Sequence, residues 1–144
     1  MRPGRITPLR GAAAALAVAA LIQLVPVKRD NPPVRIEVPA PPAVKTVLER
    51  SCYDCHSNRT VWPWYSHVAP VSWLVASDVH KGRKEVNFTD WPFFDQDDQD
   101  HILKHIAKQL DRRAMPLPKY LLMHPKARLT EDERQMLIHW AKME

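Results

Sequence analysis

The chain has 144 residues, of which 45% are hydrophobic and 26% charged, a balance that excludes wholesale disorder and allows one domain with a short tail. With only three glycines, it holds no Walker loop and no dinucleotide-binding fingerprint. The net charge of +5 does not indicate nucleic acid, because the excess lies in five N-terminal basic residues and the chain from Asp30 onward is balanced. We therefore expect a membrane surface, and no nucleic acid, beside these residues. They are Arg2, Arg5, Arg10, Lys28 and Arg29.

An uncharged apolar segment, Gly11 to Val27, follows the first three arginines and contains a single polar side chain, a glutamine. This order is typical of an export signal. The segment has 17 residues, which is at the short end of what spans a bilayer as a helix. We predict that residues 1–27 form a signal-anchor helix in the bacterial cytoplasmic membrane, with the following domain facing the periplasm. A cleaved signal is the alternative.

Residues 28–43 form a proline-rich linker in this interpretation. Its prolines oppose a regular helix and favour extended, semi-rigid polyproline II structure. We therefore predict a spacer that holds the following domain away from the membrane. The prolines are Pro32, Pro33, Pro39, Pro41 and Pro42.

Both cysteines of the chain fall in the string Cys52-Tyr53-Asp54-Cys55-His56. A C-x-x-C-H string marks the attachment of haem c. The spacing has a physical reason, because two thiols must reach two vinyl groups on one porphyrin edge while the adjacent imidazole approaches the iron from one face. The string predicts one covalently attached haem c, bonded through Cys52 and Cys55, with His56 as an iron ligand.

Three other interpretations of the cysteines compete with haem attachment. A thioredoxin-like redox pair requires a βαβ context, which the helical pattern of this chain does not provide. A zinc site is chemically possible with His56 and His67 as further ligands, since zinc takes four nitrogen or sulfur ligands. A disulfide between Cys52 and Cys55 would close a very short loop and gain little entropy.

Helical signals appear in four segments, and no convincing alternating strand pattern accompanies them. Gly82 predicts the end of the second helix, and Asp95 predicts the N-cap of the third. Thr130 and Glu133 form a capping box before the last helix. Residues 44–144 are thus predicted to be an all-α, cytochrome c-like domain around one covalent haem, preceded by the membrane helix and the linker. The predicted helices are 43–50, 70–80, 96–110 and 131–142.

The second axial ligand of the iron has two candidates in the loops. Met115 opens a Met-Pro-Leu-Pro strap, where prolines stiffen an extended chain and can hold a side chain against the iron. Met115 also follows the attachment motif and precedes the last helix, which is the usual order in small c-type cytochromes. His124, before a proline, is the rival, and a gap-filling core methionine is the structural alternative for Met115. We predict His56 and Met115 as the two iron ligands.

Several longer strings give the sequence a family resemblance. They are IQLVPVKRDNPPV, CYDCHSN, PWYSHVAPVSWLVASDVHKGR, VNFTDW and MPLPKYLLMHPKARLTEDE, in this order between Ile22 and Glu133. The chain resembles a family of small bacterial haem-binding domain proteins from about Ile22 to Trp140. The resemblance implies haem binding through Cys52, Cys55 and His56, a retained anchor and a cytochrome c-like domain. Lys28 departs from the pattern, which bears on the flank of the anchor and not on the haem.

These features favour one-electron transfer at the periplasmic face of the membrane, with redox proteins as partners, over an enzymatic role. A saturated iron leaves no room for substrate and keeps reorganisation small. The alternative is a haem sensor or a peroxidase-like protein with an open distal iron site, in which His67 or His80 acts as acid and base. A structural or haem-delivery role is a third possibility.

Overall fold

The computed structural model describes residues 8–91 and 96–142, and their regular structure is helical, with no strand among them. The predicted all-α class is therefore confirmed. Short 3₁₀ turns at Ile22–Leu24, Trp64–His67 and Pro125–Ala127 accompany the α-helices. These helices are α1 (Pro8–Leu21), α2 (Pro42–Ser51), α3 (Tyr53–His56), α4 (Val71–Glu85), α5 (Gln96–Asp111), α6 (Pro118–Met123) and α7 (Glu131–Trp140).

The chain divides into two compact units. The first, the N-terminal unit, comprises Met1–Arg29 and Trp62–Ser77, and the second, the motif unit, comprises Asp30–Val61 and Asp78–Glu144. All of the attachment motif and the Met115 strap belong to the motif unit.

The core of the motif unit is built where α2, α5 and α7 pack together. Leu48, Leu103 and Leu137, one from each of these helices, are the largest apolar side chains that are fully buried. Each lies on the apolar stripe that the helical period of its segment defines. The core also receives Phe88 and Trp91 from the segment after α4. This packing leaves the end of α2, and with it the motif, at the edge of the core.

The proline-rich segment has no helix or strand before Pro42, and from Asp30 onward it belongs to the motif unit. Val38 is buried, and its N–H donates to the carbonyl of Phe88 at 2.7 Å. The N–H of Arg35 donates to the carbonyl of Thr89 at 3.1 Å. Proline removes only its own N–H, so the residues between the prolines remain able to pair in this way.

The predicted helix bounds differ most at the end of α4. The expected stop at Gly82 is wrong, because α4 continues to Glu85. A Cβ atom at Gly82 would lie 2.4 Å from the carbonyl oxygen of Cys55. Gly82 thus serves the close approach of α4 to the motif and does not end the helix.

At α7 the predicted capping box is confirmed. The Glu133 N–H donates to Thr130 Oγ1 at 3.2 Å, and the Thr130 N–H donates to Glu133 Oε2 at 2.9 Å. The helix ends at Trp140, two residues before the predicted end. Asp95, predicted as the N-cap of α5, lies outside the described residues.

The N-terminal apolar segment forms the 14-residue helix α1 and the short turn Ile22–Leu24. The sequence predicts a membrane helix here. Within residues 8–91 and 96–142, no helix combines the length and the apolar character needed to cross a membrane.

Candidate functional site

The attachment motif lies where α2 passes into α3. The Cys52 N–H donates to the carbonyl of Leu48 at 2.8 Å, and the His56 N–H donates to the carbonyl of Cys52 at 3.0 Å. Cys52 stands between the two helices, and α3 carries Cys55 and His56. The helical turn keeps the two thiols and the imidazole within one turn of each other, because residues three and four apart share a helix face.

These three side chains line a cavity of about 410 Å³ in the motif unit, and Met115 lines it as well. A volume of this size falls within the range of small-molecule and cofactor pockets. Its walls are largely apolar, which favours a ligand with apolar surface. The apolar wall residues are Leu48, Val86, Phe88, Ile102, Ile106, Leu110, Pro116, Leu117 and Leu137.

The backbone of α4 orients the His56 ring. Its Nδ1 lies 2.9 Å from the carbonyl oxygen of Gly82 and 3.3 Å from that of Val86. When Nδ1 carries the proton and donates it to these carbonyls, Nε2 keeps a free lone pair for a metal. Burial lowers the pKa of His56, and the two carbonyls oppose that shift. The neutral imidazole that ligates iron is therefore the favoured form.

Both cysteines are free thiols held in their protonated form. Burial, with a smaller contribution from Cys55, raises the pKa of Cys52 to about 12. Burial, with smaller contributions from Asp54 and Asp78, raises the pKa of Cys55 to about 11. A thioredoxin-like redox pair needs a lowered thiol pKa, so these surroundings argue against that interpretation.

The zinc alternative lacks a ligand cluster among the described residues. No group of three or more histidine, cysteine, aspartate or glutamate side chains in residues 8–91 and 96–142 is arranged to hold a metal ion. The motif therefore brings one imidazole and two thiols to a largely apolar cavity, which suits an organic ligand.

Side-chain hydrogen bonds hold the strap against the motif. Tyr120, on α6, donates its hydroxyl to Asp54 Oδ2 at 2.7 Å. Lys119 Nζ lies 2.7 Å from a carboxylate oxygen of Asp78 on α4. Both Asp54 and Tyr120 line the cavity. The sequence analysis missed this contact, although an acidic residue inside C-x-x-C and a tyrosine shortly after the Met-Pro strap are its visible signals.

Arg83, at the end of α4, organises the chain that follows the motif. Its guanidinium donates to the Ser57 carbonyl at 2.7 Å and to Thr60 Oγ1 at 2.8 Å. It also donates to the Asp30 carbonyl at 2.9 Å and to Asn31 Oδ1 at 2.8 Å. One half-buried guanidinium thus ties α4, the loop after the motif and the start of the proline-rich segment together.

The two candidates for the second axial ligand occupy different places. Met115 lines the cavity, whereas His124 is not among the lining residues. The His124 ring stacks on Tyr120, with ring centroids 4.2 Å apart and planes 11° apart. The structure thus brings Met115, and not His124, to the same cavity as the motif.

Two histidines to which the sequence analysis gave no role also line the cavity. His101 and His105 are exposed residues of α5, and His105 Nε2 lies 3.0 Å from Gln109 Nε2. Their four-residue spacing, one position before Ile102 and Ile106, is the signal that places them beside the cavity wall. His80, named as a distal acid and base, is exposed and is not a lining residue.

An all-helical unit with a C-x-x-C-H turn at an apolar cavity of cofactor size defines a haem protein. The chain matches the family described as the haem-binding domain over residues 17–143, and it belongs to that family. No curated protein and no solved structure matches the chain. The predicted family is thus confirmed, and haem is the cofactor that the family and the residues of the cavity agree on.

Proposed function

We propose that this protein is a c-type cytochrome that carries one covalently attached haem and transfers single electrons. The observation that carries the proposal is the meeting of Cys52, Cys55, His56 and Met115 at one apolar cavity. Cys52 and Met115 are 63 positions apart in the sequence, and chance would seldom bring a thioether to the same cavity as a haem-attachment motif.

The protonated thiols suit covalent attachment. Each thioether would form by addition of the S–H of Cys52 or Cys55 across one vinyl double bond, with sulfur bonding to one carbon and the hydrogen going to the other. The apolar residues near the thiols would limit the access of water to a bound porphyrin. Attachment of this kind makes loss of the cofactor very slow.

The residues around the iron site would set its electron-transfer behaviour. The haem would supply a ferric–ferrous couple that exchanges one electron. His56, oriented by the carbonyls of Gly82 and Val86, would ligate through Nε2. Met115 would supply a thioether sulfur, which stabilises the reduced metal and raises the potential. The strap contacts of Lys119 and Tyr120 would hold that sulfur in place.

The location follows from the N-terminal segment. Its uncharged apolar run, bracketed by basic residues, supports export and retention at the periplasmic face of the bacterial cytoplasmic membrane. Covalent haem attachment in bacteria takes place on that side. Redox proteins that meet the protein there are its proposed partners.

The test is to make the full chain in a bacterium with the cytochrome c maturation machinery. We expect a mass increase of one haem that resists acid–acetone extraction, a low-spin spectrum, and the weak far-red ferric band of sulfur-to-iron ligation. Met115→Ala should abolish that band, whereas the matched loop variant His124→Ala should retain it. A colourless product, or a pigment that extracts, would contradict covalent attachment.

His101 and His105 favour a second candidate function, a sensor or peroxidase-like protein with an open distal iron site. Exposed imidazoles beside the cavity can act as acid and base toward a small ligand. This candidate predicts high-spin ferric haem and rapid cyanide binding at rest, with cyanide binding slowed in His105→Leu. A low-spin resting protein that binds cyanide only after Met115→Ala decides for electron transfer.

A further inference from the structure

The N-terminal unit exposes an unusual amount of apolar surface. Every described residue of α1 is exposed. In the other part of this unit, Trp64 is 73% exposed and Leu74 is 60% exposed, with Trp73 also exposed. Large contiguous apolar surface on a small unit marks a contact with another apolar phase or partner. We call the side chains of Val68, Val71, Leu74, Trp64 and Trp73 the aromatic patch.

The single polar side chain of the apolar segment joins that segment to the stretch that carries the aromatic patch. Gln23 Oε1 accepts the Ala69 N–H at 2.9 Å, and Gln23 Nε2 donates to the Ala69 carbonyl at 3.2 Å. This pair copies a backbone pairing, so a primary amide is the side chain that fits it. These two hydrogen bonds explain why a glutamine occurs in an otherwise apolar segment.

A second contact follows a few residues later. Arg29 Nη1 donates to the Ser66 carbonyl at 3.2 Å, beside Trp64 and the turn that contains it. The end of the apolar segment is therefore bonded at two points to the stretch between Trp64 and Trp73. Hydrogen bonds thus join the end of the apolar segment and a basic residue to the stretch that carries the tryptophans.

The charge of the N-terminal unit is one-sided. Its two stretches, Met1–Arg29 and Trp62–Ser77, contain no acidic residue in the sequence and carry all five basic residues in excess. Apolar, aromatic and basic side chains without any acid match the boundary between acyl chains and anionic headgroups. Tryptophan concentrates at that depth, and arginine and lysine reach from it to the phosphates.

We propose that the aromatic patch is a membrane-contact surface, seated in the headgroup region of the bilayer that receives α1, with Gln23 as the residue that positions it. The proposal rests on the membrane retention proposed above. A free protein partner fits less well, because hydrogen bonds join the stretch that carries the patch to an uncharged apolar segment that is itself largely exposed. A second copy fits less well, because this unit has no acid to pair with the basic residues of another copy.

The experiment uses the full haem-loaded chain in nanodiscs of phosphatidylethanolamine and phosphatidylglycerol, one chain per disc. Hydroxyl-radical oxidation is read residue by residue by mass spectrometry. Met123, which is 56% exposed in the motif unit, is the internal reference, because methionine and tryptophan both react quickly. We expect Trp64 to be oxidised about tenfold more slowly than Met123, as for an exposed ring that becomes buried.

The variant Gln23→Leu keeps the segment apolar and removes both bonds to Ala69. We expect it to remain with the discs while oxidation of Trp64 and Trp73 rises severalfold. Gln135→Leu, an equally apolar change in the motif unit, should leave their protection unchanged. Unchanged protection in Gln23→Leu would overturn the positioning role of Gln23.

The other outcomes separate this inference from the proposed location. If the chain stays with the discs but Trp64 and Trp73 oxidise as fast as Met123, the membrane-contact surface is overturned and retention stands. If the chain leaves the lipid altogether, retention and the contact surface both fall, while the haem result is untouched. Protection that appears only with two chains per disc would assign the patch to self-association and overturn the lipid assignment.

Discussion

The two walls of the haem cavity are built in opposite ways. The motif wall, from Cys52 to His56, is one helical turn whose geometry follows from local backbone bonds. The strap wall, from Met115 to Tyr120, is held in place by residues far away in the chain, Asp54 and Asp78. The comparison teaches that the C-x-x-C-H turn is built by contacts local in sequence, whereas the position of Met115 at the cavity depends on long-range contacts.

Gly82→Ala should have the largest effect, because it forces apart the close approach of α4 to the motif wall. A Cβ there would lie 2.4 Å from the Cys55 carbonyl oxygen, so α4 must move away from the motif. We expect a loss of about 3 kcal/mol in the free energy of unfolding, within the range for overpacking. Urea unfolding of the haem-loaded chain, followed at the haem absorbance, measures it.

The matched control is Gly11→Ala, since a Cβ at Gly11 meets nothing within 4 Å. It should leave the unfolding midpoint unchanged. An equally stable Gly82→Ala chain would show that the motif wall needs no close approach of α4. The motif wall would then depend still less on long-range contacts than the strap wall does.

Tyr120→Phe should loosen the strap wall and leave the motif wall intact. It removes the hydroxyl that donates to Asp54 Oδ2, a hydrogen bond to a charged group worth about 1.5 kcal/mol. We expect the far-red ferric band of sulfur ligation to disappear at lower urea concentration than in the parent chain, with haem attachment unaffected.

A double-mutant cycle tests whether the Tyr120–Asp54 pair accounts for that effect. Asp54→Asn should lower the urea concentration at which the band disappears by a similar amount. In the double variant, this concentration should fall by less than the sum of the two single effects. Strictly additive falls in that urea concentration would contradict a direct coupling between these side chains. The position of the strap would then depend on its prolines and on the ion pair of Lys119 with Asp78.

The start of α7 also combines a local contact, between Thr130 and Glu133, with a distant one, between Arg50 and Glu133. Thr130→Ala removes the local contact. The Thr130 hydroxyl accepts the Glu133 N–H, a bond that the sequence alone predicts. Its loss should cost about 1 kcal/mol in the free energy of urea unfolding at neutral pH. Thr130→Ser, which keeps the accepting oxygen, is the control and should retain most of the stability.

The pH dependence of stability should report the contact between Glu133 of this cap and the distant Arg50. The Arg50 guanidinium, followed by the Thr130 N–H, lowers the pKa of Glu133 from 4.5 to about 2. A carboxyl whose pKa is lower in the folded chain stabilises it above pH 4.5, and this contribution is lost as the pH falls from 4.5 through 2. We therefore expect the urea midpoint to fall across that window, with a shallower fall in Glu133→Gln. Asp132→Asn, one residue earlier, should keep the parent slope, and an equal flattening there would contradict the assignment to Glu133.

Much of the fold could be predicted because its signals are short-range. The bounds of helices α2, α5 and α7 were predicted to within two residues at each end, and each of these helices buries a leucine on its apolar stripe. The end of α4 was mispredicted because glycine reads as a stop in local sequence, while its actual reason is a neighbour 27 positions earlier. Helix α6 was not predicted, since six residues are too few for a helical period to stand out.

The sequence by itself determined the helical class, the attachment string and the capping box, because each depends on residues within a few positions of one another. The tertiary structure alone decided that Met115, and not His124, shares a cavity with His56, and that His101 and His105 join them. It also gave Gln23 and Tyr120 their partners. The reason is physical, since cavities and side-chain hydrogen bonds join distant positions whose separation no local pattern records.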